Sequence, residues 1–78
     1  MTAKQIRKIS ELIDVRYLEI SSGEMWSKSA KPDTKFRIDY DLELIGIEVP
    51  NNTSYKVPDN ITFVSFENII RLEGPVRS

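Results

Sequence analysis

At 78 residues, with 40% hydrophobic and 29% charged side chains and a net charge of −1, the chain reads as one small domain that buries only about 60% of its unfolded surface. It contains neither Cys nor His, which excludes disulfides, the usual zinc sites, cysteine nucleophiles, imidazole acid–base catalysis and haem ligation through either residue. No apolar run approaches the ~20 residues of a membrane span, and no secretory signal pattern follows Met1, so the expected location is the cytoplasm.

The first predicted element is a helix. Thr2 followed three residues later by Gln5 fits a capping box, and Ile6, Ile9, Leu12 and Ile13 then recur at helical spacing. This predicts a helix from about Ala3 to Asp14, with Lys4, Arg7, Lys8 and Glu11 outward. Val15 to Ile20 is rich in β-branched and aromatic residues and stops at Ser21-Ser22-Gly23, a turn signal leading into a second strand over Glu24 to Ser27. Ser27 to Lys35 is polar, basic and closed by Pro32-Asp33, which predicts an exposed loop.

Phe36 to Val49 reads as one long strand whose buried side changes partway. Phe36, Ile38, Tyr40, Leu42 and Leu44 hold even positions, whereas Ile45, Ile47 and Val49 hold odd ones. A one-residue slip turns every side chain to the opposite face, so the strand is expected to bend or bulge near Gly46. Pro50-Asn51-Asn52-Thr53 predicts a turn, Tyr55 to Val57 a short strand, and Pro58-Asp59-Asn60 another turn into Ile61 to Ser65. Phe66-Glu67-Asn68 breaks the alternation as a 3₁₀ turn before a last strand over Ile69 to Glu73. The expected layout of the single domain 1–78 is thus a helix at about 3–14, a β-barrel at about 15–73, and a short tail at 74–78, in which Gly74-Pro75 ends the fold and Val76 to Ser78 fray.

The fold class that follows is α+β and mostly β: an amphipathic helix packed on a strongly bent antiparallel sheet of five to six strands. The ending Ser65-Phe66-Glu67-Asn68-Ile69-Ile70-Arg71-Leu72 resembles the strand, 3₁₀ turn, strand closure of SH3-like barrels. An N-terminal helix leading into a bent sheet resembles the Sm-like branch of such barrels. The resemblance lies in the pattern of elements. No family motif is matched residue by residue, so no functional residues carry over, and small barrels serve as protein binders, RNA binders and assembly modules alike.

Three constellations remain. Asp39, Asp41 and Glu43 form a row on one strand face, with neighbours about 6.8 Å apart. Leu44 and Pro50 stand where a calcium loop needs Gly and Glu, so the row reads either as an acidic strip facing Lys or Arg on a protein partner or as an ordinary solvent face. Trp26 beside Lys28 and Lys31 reads as a partner anchor or as a half-buried core lid. Charge is also segregated: eight basic against five acidic residues through Arg37, a surplus of +3, and three against seven from Ile38 onward, a balance of −4. Gly23, Gly46 and Gly74 stand alone, without a phosphate-binding loop.

These observations predict a non-enzymatic module without cofactor or metal. Its expected role is protein binding or regulation, as an inhibitor or adaptor, through Asp39, Asp41, Glu43, Trp26, Lys28 and Lys31. The rival readings are nucleic-acid binding by the basic first half, which the net charge disfavours, and a structural homo-oligomer.

Overall fold

The computed structural model describes residues 1–50 and 60–77. Within them the order is helix α1 (Ala3–Leu12), strands β1 (Tyr17–Ile20), β2 (Met25–Ser27), β3 (Lys35–Asp39), β4 (Leu44–Val49) and β5 (Asn60–Ser65), a 3₁₀ turn (Phe66–Asn68), and β6 (Ile69–Glu73). The strands form two antiparallel sheets of three, ordered β2-β1-β6 and β3-β4-β5. The protein is therefore α+β and mostly strands. The expected short strand at Tyr55–Val57, and most of the two turns around it, lie outside the described residues.

Helix α1 starts as its capping box requires. The Thr2 hydroxyl accepts from the Gln5 amide at 3.1 Å, and the Gln5 side chain accepts from the Thr2 amide at 2.9 Å. Ile6 is fully buried and Ile9 packs beside it, so the apolar stripe docks the helix on the strands. The core beneath holds Leu18 from β1, Ile45 and Ile47 from β4, Val64 from β5, Phe66, and Ile69 and Leu72 from β6. Burying each such side chain contributes about 1.5–3 kcal/mol. Both sheets and the helix therefore share one interior.

The long bent strand expected over 36–49 is two strands joined by a turn. β3 ends at Asp39, and β4 returns from Leu44 with Ile38 opposite Ile45 and Phe36 opposite Ile47. Each pair joins an even position to an odd one, so the apolar set must change parity across the hairpin, and no bend at Gly46 is needed. The turn closes on Asp39, whose Oδ1 accepts from the Asp41 and Leu42 amides, both at 3.0 Å. Glu43 completes it with φ +53, a left-handed conformation unusual for a side chain of its size.

Residues 74–77 are also not frayed. The Asp14 amide donates to Pro75 O at 2.9 Å, the Arg16 amide to Glu73 O at 2.8 Å, and Ile13 and Val76 form a bridge. The Arg77 amide donates to Leu12 O, and its Nε donates to Ser10 O at 3.0 Å and Ile13 O at 3.1 Å. A cation thus satisfies carbonyls that the end of α1 leaves open. Gly74 permits this seam, because a Cβ there would lie 1.7 Å from Asp14 O.

Candidate functional site

In β3-β4-β5 the residues turned away from the core form three rows: Lys35-Glu48-Ile61, Arg37-Gly46-Phe63 and Asp39-Leu44-Ser65. Gly46 is the floor of the middle row. It has an ordinary strand conformation, and its lack of a side chain lets the Phe63 ring lie across it, with Phe63 Cε1 3.1 Å from where a Cβ would stand. The aromatic ring covers the glycine, yet it remains 62% exposed itself, beside Ile61 at 44% and Leu42 at 67%. Together with Leu44 and the turn, these residues surround a cleft of about 640 Å³.

Charge around this cleft is uneven. The Arg37 guanidinium lies 2.8 Å from the Glu48 carboxylate across β3 and β4, so the cation bordering the cleft is already engaged. Asp39 and Asp41 line the end nearest the turn, and Glu43 follows in the same turn. All three are exposed, and none forms an ion pair among the described residues. The expected row on one strand face is thereby corrected: Asp39 ends β3, while Asp41 and Glu43 stand in the turn. What gathers them is a chain reversal.

Behind the turn, Tyr40 ties the cleft to the helix. Its hydroxyl lies 3.1 Å from Ser10 Oγ, the Arg7 guanidinium sits 4.3 Å above its ring, and it meets Phe66 edge-on at 5.9 Å. The turn is thus braced from α1 and from the core. A surface held this way keeps its shape before any partner arrives.

Trp26, Lys28 and Lys31 lie elsewhere. Trp26 faces Leu18 across β1 and β2 and is half-buried against the core. Lys31, exposed in the loop, shares a depression of about 520 Å³ with Trp26. Lys28 points another way, its Nζ 5.7 Å from the Phe36 ring centre, and borders a second hollow with Pro32 and Asp33. Thr34, inside the loop expected to be exposed, is only 2% accessible. The two groups of candidate residues therefore do not form one site.

Phe63, Ile61, Gly46 and Leu42 were not among the binding candidates singled out from sequence. Their signal is the run Ile61-Thr62-Phe63-Val64, apolar at both parities, since Val64 alone reaches the core while Ile61 and Phe63 are surplus to it. Among the described residues, no three Asp or Glu side chains gather closely enough to hold a metal ion, and no helix is long and apolar enough to cross a membrane. The Tyr17 hydroxyl donates to Glu19 Oε1 at 2.6 Å, and that bond, with smaller desolvation and the nearby carboxylate, raises its pKa. No family model matches this chain, and no curated protein and no solved structure matches it either.

Proposed function

We propose that this protein is a non-catalytic protein-binding module, an inhibitor or adaptor, that works by seating the outer face of β3-β4-β5 and its 40–43 turn against a larger protein. The observation that carries this reading is Phe63, held open over Gly46 with Ile61 and Leu42 beside it. Burying such side chains in water-free contact is the usual source of binding energy, and aromatic anchors in the centre of a patch dominate it. Apolar residues scattered singly over a surface carry no such meaning, whereas a contiguous set around a cleft does. Asp39, Asp41 and Glu43 form the polar rim.

In the same reading the two sheets are the halves of a small barrel of the SH3-like or Sm-like kind. The 3₁₀ turn between β5 and β6 and the helix laid over the core support that assignment.

The test is a comparison of partners recovered from the native host by wild-type protein and by Phe63→Ser, followed by titration calorimetry of purified components. A partner that binds the wild type and loses at least about thirtyfold in affinity on Phe63→Ser supports the proposal. A partner bound equally by both proteins removes this face from consideration.

A further inference from the structure

Resting on that reading, the geometry points to the kind of segment the cleft receives: we infer a linear stretch of a partner protein in which an apolar side chain is followed, two residues away on the same face, by Lys or Arg. The argument starts from charge. The guanidinium of Arg37 is neutralised by Glu48 at 2.8 Å, while the turn beside the apolar floor presents Asp39, Asp41 and Glu43 without a cation among the described residues. Asp39 directs Oδ1 to the Asp41 and Leu42 amides at 3.0 Å. Its carboxylate is thus oriented by the turn before any ligand binds. Exposed carboxylates that no protein cation pairs among the described residues favour a partner cation, and an acidic segment is discriminated against.

Spacing follows from the strands. The middle row, with Gly46 as floor and Phe63 as wall, and the row holding Asp39 and Leu44 are two residues apart along β4, which is about 6.8 Å. That is also the distance between same-face side chains two residues apart in an extended peptide. An extended segment running along β4 therefore sets an apolar side chain against Gly46 and Phe63 and a cation two residues away against Asp39 and Asp41. A positive charge placed at the opposite end meets Lys35 instead, which lies in the row of Glu48 and Ile61. The cleft consequently reads direction as well as composition.

The test uses the full chain and three pools of short synthetic peptides: Leu or Phe followed two residues later by Lys or Arg, the same apolar residues followed two residues later by Asp or Glu, and Ser followed two residues later by Lys or Arg. Binding is followed by fluorescence anisotropy. The expected result is binding of the first pool alone, weakened by added salt, lost by about tenfold or more on Phe63→Ser, and weakened on the joint change Asp39→Asn, Asp41→Asn and Glu43→Gln. The Asn at position 39 keeps the oxygen that closes the turn, and urea unfolding of that variant checks that it does. Equal binding of the acidic pool, or indifference to the charge-neutral variant, overturns the inferred segment while the apolar face stands as a binding surface. Binding of the Ser-containing basic pool unaffected by Phe63→Ser overturns it as well, reducing the effect to adsorption of cations. Absence of binding by every pool, with a host partner still lost on Phe63→Ser, overturns the linear segment in favour of a folded partner. Self-association abolished by Phe63→Ser assigns the face to a second copy and overturns both readings together.

Discussion

The two sheets turn contrasting faces to water. On β2-β1-β6 the outward polar residues largely satisfy one another, although Met25 and Ile70 stand exposed: the Tyr17 hydroxyl donates to Glu19 at 2.6 Å and approaches Met25 Sδ at 3.7 Å, while Arg71 lies 3.6 Å from Glu73. On β3-β4-β5 the outward residues include Ile61, Phe63 and a turn of carboxylates with no cation beside them among the described residues. The seam of residues 74–77 further secures the first sheet, because it joins the chain beyond β6 to the chain before β1. Both sheets supply the core, but the second, beyond its Ile45, Ile47 and Val64, also carries apolar surface around a cleft that the fold does not consume. Under the proposed function, the seam that secures the fold and the surface that binds fall on different halves of a very small protein.

The contrast breaks most severely at Gly74. A methyl group there collides with the Asp14 carbonyl, which is backbone and cannot swing aside, so Gly74→Ala should cost about 3 kcal/mol in urea unfolding. Phe63→Ser should do the reverse, leaving stability within about 0.5 kcal/mol while abolishing partner binding measured by calorimetry. If it unfolds the protein instead, the two halves are not separate. Arg77→Ala removes the bonds to Ser10 O and Ile13 O and should lower stability by about 1 kcal/mol, visible as a thermal shift of about 4–8 °C.

A finer probe is Gly46→Ala. An alanine gains about 0.5–1 kcal/mol over glycine within a strand, but its methyl must displace the end of the Phe63 ring. In the wild-type background the two effects should nearly cancel. In a Phe63→Ser background the same change should stabilise, and a double-mutant cycle in urea reads the difference. The smallest effect belongs to the closed face. Because the bond to Glu19 raises the Tyr17 pKa, its contribution to stability is complete below the ordinary tyrosine value and is lost as pH rises through the raised one. Glu19→Gln should bring the absorbance titration of that phenol to lower pH.

Local chemistry made several elements legible in the sequence. The Thr2 and Gln5 pair, the turn at Ser21-Ser22-Gly23 with Gly23 at φ +94, and the 3₁₀ turn at Phe66–Asn68 each depend on residues within a few positions of one another. The 40–43 turn was not legible, because Tyr40 and Leu42 prolong the apolar alternation through it and its left-handed position is filled by Glu43 rather than Gly or Asn. Asp39 was the available signal, since a carboxylate capping the amides two and three residues on is a turn former. The seam was invisible for another reason: Gly74 and Pro75 look like a terminator, and only a contact with Asp14 across the molecule shows otherwise. Asp39, Asp41 and Glu43 were singled out in the sequence, but their arrangement in a turn was not. Nothing near Phe63 in the sequence tells an inward aromatic from an outward one.

Arg77 reaches Ser10 and Ile13 across 67 and 64 positions, and this has a kinetic consequence. The first helix is too short to persist alone in water, and its final turn is completed by a side chain from the opposite end of the polypeptide. Loop closure over such a span is entropically costly before any contact rewards it. The final turn of α1 consequently settles late, and amide exchange there should keep pace with exchange in β6 rather than with that of an ordinary fraying helix.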